Sequence, residues 1–342
     1  MPPVNLNDFD YDLPEELIAQ TPIPIRDASR LLVMRSGVLE HRLFSDLPEY
    51  LAPGDALALN ETKVIPARLM GVKVESGAKV EALLLKPVGQ DRWEALVKPG
   101  KKLPIGARVE FGGGLLTAYV AEKTDYAGRV LEFSYSGSFE EILDAVGTMP
   151  TPPYIKKTLV DQGRYQTVYA SHAGSAAAPT AGLHFTRELL EQITGMGVEI
   201  IPVLLHVGLG TFRPVRAVDI REHHMHAEYY EISPRAASRI NEIRSGKGRV
   251  VAVGTTTTRC LESAAGADGL LKPGAGWTDI FIYPGYRYKV VESLITNFHL
   301  PKSTLLMMVS ALAGQGNLMA AYKEAVRQRY RFYSFGDAML IL

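Results

Sequence analysis

Six short stretches decide the fold: VIPARLMGVKV (64–74), KVEALLLKP (79–87), RWEALVKPG (92–100), ARVEF (107–111), LLTAYVAEK (115–123) and RVLEFSY (129–135). Apolar and polar residues alternate in each with a period of two, and Gly, Pro or Asp separates them, the pattern of strands with one buried face. The spacing leaves no room for long helices. A small antiparallel β-barrel is the economical arrangement, because closing the sheet removes its exposed edges. The next segment, SFEEILDAVG (138–147), reads as a helix capped by Ser138 and stopped by Gly147. The Pro-rich TMPTPPYIKK (148–157) then marks the return to another domain.

Beyond that return the rhythm changes. Thr186 is placed to cap a helix through TRELLEQITGMG, VEIIPVLLHVG is a buried-strand run, RVVAVG leads into TTTTRCLESAA, and TDIFIYP reads as another strand. Strands alternating with helices imply a mixed α/β sheet with some parallel pairing and flanking helices. Residues 1–63 contain the strand-like SRLLVMR and DALALN but too little apolar mass to stand alone. The expected organisation is therefore a discontinuous catalytic α/β domain (1–63 and 148–342) interrupted by an inserted β-barrel domain (64–147).

The bulk properties bound the rest. A chain of 342 residues is long enough for about two domains. With 46% apolar and 22% charged residues it has ordinary globular usage, neither disordered nor fibrous. The 37 Lys plus Arg balance the 37 Asp plus Glu, so any attraction for a polyanion must come from local clustering. One cysteine, Cys260, allows no internal disulfide and no thiolate-based zinc site, and suits a reducing cytoplasm. The amino terminus lacks a basic start followed by an apolar run, and the longest apolar stretch, near LLMMVSALAG, is far short of a bilayer span. The expectation is a cytoplasmic protein without a membrane helix. Local clustering does occur: the tail KEAVRQRYRFY interleaves Arg327, Arg329 and Arg331 with aromatics, a composition suited to phosphate contact and base stacking or, alternatively, to a solvated helix face.

Several motifs are placed to carry chemistry. GSAAAPTAGLHFT (174–186) puts small residues ahead of a helix, with His184 and Phe185 at the mouth of a loop that a ligand approaches closely, or in a tight crossing of packed elements. LLHVGLGTFRPV (204–215) ends a strand with His206, then Gly208, Gly210, Thr211 and Arg213; Pro214 in place of a helix makes it a poor dinucleotide or methyltransferase loop. In VAVGTTTTRCLES (251–263), Gly254 and the hydroxyls of Thr255, Thr256, Thr257 and Thr258 open a helix whose free N–H groups suit a carboxylate or phosphate, or make an elaborate cap. REHHMHAEYY (221–230) sets His223, His224 and His226 beside Glu228, yet no regular element turns them into a tetrahedral set, so no metal is expected. After strand-like runs, Asp279, Tyr283, Asn297, His299 and Lys302 offer donors and acceptors at one rim, while Phe298 and Tyr286 are suited to stacking.

Together these strings resemble one family, the S-adenosylmethionine:tRNA ribosyltransferase-isomerases of queuosine synthesis. The resemblance runs through DFDYDLPEELIAQTP, LNETKVIPARL, RYQTVYA, GSAAAPTAGLHFT, HVGLGTFRPV, HHMHAE, GTTTTR, GWTDIFIYPGY, LITNFHLPKSTLLM and YRFYSFGDAMLI, essentially the whole chain. It implies transfer and isomerisation of the ribosyl part of S-adenosylmethionine onto the aminomethyl group of preQ1 at the tRNA wobble position. The product is epoxyqueuosine-tRNA, with adenine and methionine released. S-adenosylmethionine is then a consumed co-substrate, no metal takes part, and the partner is preQ1-containing tRNA, met by a monomer. Such chemistry needs a base, a donor to adenine and stabilisation of sugar oxyanions. Mapped onto this chain, His206 and His184 are the expected base and acid, with Asp279 and Glu228 as orienting charges. S-adenosylmethionine is expected at Gly208, Thr211, Arg213, Gly254, Thr255, Thr256, Thr257 and Tyr283. The nucleic acid is expected at Asn60, Lys63, Arg68, Phe185 and Arg259, at Asn297, His299 and Lys302, and at the three tail arginines. The competing readings are a metal-dependent hydrolase built on His223–Glu228 and a non-enzymatic RNA-binding protein.

Overall fold

A computed structural model describes residues 5–124, 128–208, 217 and 219–342. The N-terminal segment forms β1 (Arg30–Arg35), β2 (Val38–Leu43) and β3 (Ala56–Asn60), followed by the short β4 (Thr62–Val64). Next come β5 (Arg68–Lys73), β6 (Lys79–Gly89), β7 (Arg92–Lys98), β8 (Arg108–Phe111), β9 (Leu116–Lys123) and β10 (Arg129–Tyr135), then helix α1 (Phe139–Val146) and β11 (Gly147–Thr148). The remainder is β12 (His172–Ser175), α2 (Arg187–Gly195), β13 (Glu199–Leu205), β14 (Glu228–Ile232), α3 (Pro234–Ser245), β15 (Val250–Val253), α4 (Thr255–Ala264), β16 (Gly274–Thr278), β17 (Ser293–Asn297), α5 (Thr304–Ala313), α6 (Gln315–Arg327) and β18 (Ala338–Ile341). The chain forms two compact units. One comprises the residues up to Thr62 with Pro153–His172 and Pro179–Leu342; the other is Lys63–Pro152 with Ala173–Ala178.

The smaller unit is the antiparallel barrel that the period-two pattern implies. Its strands run β5-β6-β7-β10-β9-β8, and β5 pairs back onto β8 to close the ring. The inward set, including Leu69, Val80, Leu84, Val109, Phe111, Leu131 and Phe133, fills the interior. Closure depends on Gly71, which pairs with Phe111. A Cβ there would lie 2.4 Å from the Glu110 carbonyl oxygen and 2.5 Å from the Phe111 ring, so the seam closes only where the side chain is missing. The buried Arg129 spends its guanidinium on the carbonyls of Leu103, Gly128 and Gly100, at 2.8, 2.8 and 2.7 Å.

The larger unit is built on a mixed sheet of order β16-β14-β13-β3-β15-β17-β18-β1-β2. β3 is parallel to both β13 and β15, and β15 is parallel to β17. β18 closes onto β17 antiparallel and onto β1 parallel, so the N-terminal strands join the same sheet as the C-terminal half. Strands β3, β15, β17 and β18 are buried at every residue, which is why they read as continuous apolar runs rather than alternating ones. The expected caps are present: Ser138, Thr186 and Ser303 each accept a backbone N–H three residues on.

Two sequence expectations need correction, and the conformation left open at His223–His226 is defined. TDIFIYP is not a strand: Thr278 ends β16, and the strand is the preceding GAGWT, which pairs with β14 from Glu228↔Thr278 to Ile232↔Gly274. Its glycines hid it, and Gly276 lies under the Tyr230 ring, which sits 3.5 Å from where its Cβ would be, an ordinary packing contact. Residues His223–His226 form no strand or helix and so share no face. In the basic tail, Tyr330 and Phe332 are fully buried around Phe298 and Tyr322, so these aromatics belong to the core and do not stack on bases.

The closure argument predicts that Gly71→Ala lowers stability by about 1–3 kcal/mol, the cost of overpacking a site that cannot relax. Gly100→Ala, whose Cβ would meet nothing within 4 Å, is expected to stay within about 0.5 kcal/mol of the parent. Urea unfolding of both variants measures the difference, and equal midpoints would refute the closure argument.

Candidate active site

The register places most of the predicted polar residues on one rim of the mixed sheet. Parallel strands β13, β3, β15 and β17 all end there; β14 begins there, because Tyr230 pairs with Leu205, and β18 begins there, because Ala338 pairs with Asn297. With adjacent strands about 4.8 Å apart, Glu228 and Asn297 stand roughly 19 Å apart along this rim. The chain leaves β3 for β13 on one side and takes up β15 on the other. β3 is thus the point where connections diverge, the position at which open α/β sheets form a crevice.

Asn60 holds that crevice together. Its buried amide donates to the Leu205 carbonyl at 2.9 Å and to Thr256 Oγ1 at 3.2 Å, while its oxygen accepts from the N–H groups of Leu205 and Thr62. One side chain therefore links the ends of β3 and β13 to the start of α4. That helix begins at Gly254, whose φ of 92° would strain any other residue. Thr257 and Thr258 turn their hydroxyls back onto the carbonyls of Val253 and Gly254. The first backbone N–H groups of α4 have no acceptor within the helix and face the rim at the positive end of its dipole.

A buried ion pair flanks this helix. Arg259, 1% exposed, meets Glu228 Oε2 and reaches the Thr278 carbonyl, while Glu228 Oε1 accepts the Gly208 N–H at 2.8 Å. Glu228 thus reaches towards α4, while His224 and His226 are exposed. Among the described residues, no group of three His, Cys, Asp or Glu side chains is arranged to hold a metal. Glu262, one turn after Arg259, accepts the Tyr286 hydroxyl and the N–H groups of Lys289, Val290 and Val291. This anchors the loop that follows Tyr283.

The two predicted histidines differ in kind. His206 is half-buried at the end of β13: Nδ1 lies 2.8 Å from Thr62 Oγ1, the ring stacks on Tyr229 at 5.9 Å, and among the described residues Nε2 has no hydrogen-bond partner. Burial, with His172 nearby, lowers its pKa from the usual imidazole value, so the ring is neutral at neutral pH. His184 is enclosed. Ser29 Oγ is 2.7 Å from Nδ1 and Asn297 Nδ2 is 3.1 Å from Nε2, while Asn297 in turn accepts from Thr180. Burial pushes its pKa down to about 3, and the opening beside it, bordered by Arg26, Arg164 and Ser334, measures about 20 Å3, the room of one water.

The remaining predicted residues scatter. Phe185 is fully buried, edge-on to Phe44. His299 lies inside the core, its Nε2 2.7 Å from Thr296 Oγ1 and its pKa pushed down to about 3 by burial. Lys302 pairs with Asp10 at 2.9 Å. Asp279 is exposed directly after β16, on the rim, and Tyr283 packs on Phe281. Lys63 and Arg68 belong to the smaller unit, where Arg68 pairs with Glu81. Arg327 pairs with Glu324, Arg329 lies 3.8 Å from Glu16, and Arg331 donates to the Thr21 carbonyl. Thr211 and Arg213 lie outside the described residues. Sequence reasoning missed Thr62, Ser29, Tyr229 and Glu262, because a hydroxyl or carboxylate acting through a distant partner leaves no local pattern.

With this geometry in hand, the chain was compared with known proteins. A family model described as Queuosine biosynthesis protein matches residues 6–341. The chain is 65% identical to the S-adenosylmethionine:tRNA ribosyltransferase-isomerase of Pelotomaculum thermopropionicum, over 99% of this chain and 100% of that one. It is 62% identical to the protein of the same name in Symbiobacterium thermophilum, again over 99% and 100%. Among solved structures it resembles the S-adenosylmethionine tRNA ribosyltransferase of Thermotoga maritima, with TM-score 0.57 and 40% identity over 98% of this chain and 100% of that one.

The two enclosed histidines predict acid sensitivity. Both have folded pKa values of about 3, against roughly 6.5 for an unfolded histidine. The unfolded chain therefore takes up protons first as pH falls below that value. Their contribution to stability is complete above about pH 6.5 and declines towards pH 3, by at most about 1.4 kcal/mol per pH unit for each ring. Urea midpoints should fall between pH 7 and pH 5, and less steeply in His184→Asn. An unchanged pH slope in that variant would show that His184 is not held neutral.

Proposed function

Because the chain belongs to the queuosine biosynthesis protein family, we propose that it transfers and isomerises the ribosyl part of S-adenosylmethionine onto the aminomethyl group of preQ1 at the wobble position of tRNA, releasing adenine and methionine and leaving epoxyqueuosine. The observation that carries this reading is full-length similarity to enzymes of that name, combined with a rim that supplies an accessible neutral imidazole and an open helix N-terminus. S-adenosylmethionine enters as a consumed co-substrate.

The residues divide the work as follows. The start of α4, Gly254 to Thr258, receives the methionine carboxylate, which its unpaired N–H groups and dipole favour. His206 faces the reacting ribose. Thr62 is fully buried and, among the described residues, its hydroxyl meets only this ring, so the hydroxyl proton goes to Nδ1 and the neutral ring presents Nε2–H to the rim. In that state His206 donates to charge developing on adenine or on a sugar oxygen. Acting as a base would require the opposite tautomer and would leave the Thr62 hydroxyl without an acceptor. His184, neutral and engaged at both nitrogens, orients Asn297 and moves no proton. Glu228 fixes the Gly208 end of the glycine segment through its N–H, and Asp279 supplies exposed negative charge at the same corner. The His223–Glu228 hydrolase reading gains nothing from the structure, because Glu228 is committed to Arg259.

Incubation with preQ1-containing tRNA and labelled S-adenosylmethionine tests the reaction. Ribosyl label should enter the tRNA and methyl label should leave with methionine; methyl label on the base, or dependence on a divalent ion, would overturn the assignment. His206→Ala should lower kcat by about 10²-fold or more. Thr62→Val should move the imidazole 15N shifts of His206 and lower kcat about tenfold at constant KM for S-adenosylmethionine, with Thr62→Ser restoring both. Unmoved shifts would remove Thr62 from this role.

A further inference from the structure

One corner of the rim carries an aromatic run that the reaction as described does not use. Tyr229 pairs across the ladder with Trp277, and their rings meet edge-on at 5.9 Å; on its other side Tyr229 stacks on His206, also at 5.9 Å. Strand alternation separates this run from α4. Glu228 and Thr278, the next residues along β14 and β16, turn to the helix, where they meet Arg259 and Ser263. Tyr229 and Trp277 therefore occupy the opposite face. Trp277 is 57% exposed there, a large ring on an edge strand at the mouth of the candidate site.

We propose that the face formed by Trp277 and Tyr229 is a stacking platform for an unpaired base of the RNA loop, next to the nucleotide being modified. The proposal rests on the functional reading above. Single-stranded RNA is gripped by splaying its bases onto aromatic side chains, and every base has a face that stacks. The platform runs directly into His206, so a base on Trp277 and a nucleotide at His206 belong to the same loop. Glu231 lies on the same face and accepts the Tyr229 hydroxyl. Its carboxylate disfavours phosphates, so the strand presents bases to this surface and keeps its backbone outside. Stacking tolerates any base, so the platform contributes grip and leaves selection of the modified base to the rim.

The chain has two tryptophans, which makes the test direct. In a Trp93→Phe background, fluorescence from Trp277 should be quenched by an anticodon stem-loop RNA carrying preQ1 and unaffected by S-adenosylmethionine. Trp277→Ala, with the fold intact by circular dichroism, should weaken stem-loop binding by about fivefold or more and raise KM for tRNA with little change in kcat, while Trp277→Phe recovers most of the loss. Unchanged RNA affinity in Trp277→Ala together with no quenching would overturn the platform. So would self-association that is lost in Trp277→Ala while RNA affinity stays the same, because the face would then be a contact between copies of this chain. If the parent enzyme neither binds nor turns over preQ1-containing tRNA, the functional reading falls, and the platform with it.

Discussion

The larger unit's candidate site depends on a single buried amide. Asn60 terminates β3, the strand from which the chain diverges to both sides, and its four hydrogen bonds tie β13 and α4 to that point. A crevice at diverging strands is otherwise a place where backbone groups lose their partners. Here one side chain with two donors and one acceptor oxygen satisfies them without closing the rim. The substitution that keeps its branching, leucine, would leave the Leu205 carbonyl and N–H unpaired at the centre of a sheet, a desolvation cost of about 1–3 kcal/mol for each group.

Around that amide the structure spends charge on geometry. Arg259 and Glu228 are both almost wholly buried, and a buried pair of this kind contributes little net stability compared with a well-packed apolar pair. What it contributes is position: the second oxygen of Glu228 holds the Gly208 N–H at 2.8 Å, and Arg259 holds β14 and β16 to α4. Glu262 does the same for the loop at Val290, with several donors converging on one carboxylate. α4 is therefore a buried post whose polar side chains aim two segments at the rim, while its first N–H groups stay open.

The barrel was legible because each of its strands has one wet and one dry face, so period two is written directly in VEALLLK and LTAYVAEK. The centre of the mixed sheet was legible for the opposite reason, as apolar runs bounded by glycines. Strands that pair at an edge or contain glycine were not: the Gly-Ala-Gly start of GAGWT disfavours a strand, and β14 offers it the ladder on which it forms. The basic aromatic tail misled because composition reports residue types but not directions. Tyr330 and Phe332 alternate with arginines, yet they point into the core while Arg329 points out. His206 was found from its place after a strand. Thr62, which orients it, lies in a different part of the chain and becomes its neighbour only through the parallel pairing of β3 with β13.

The position of β18 also constrains the order in which this sheet is assembled during synthesis. Leu31 pairs with Ala338 and Ile341 pairs with both Met34 and Leu294, so among the described strands β18 alone joins the hairpin β1–β2 to the rest of the sheet. On the ribosome that hairpin emerges early and waits, with one long edge unsatisfied, until residues 338–341 have been translated. A nascent chain in that condition exposes the apolar run Leu31–Met34 throughout the making of everything between. The architecture thus leaves its N-terminal apolar edge open to misassociation until its last strand has been made.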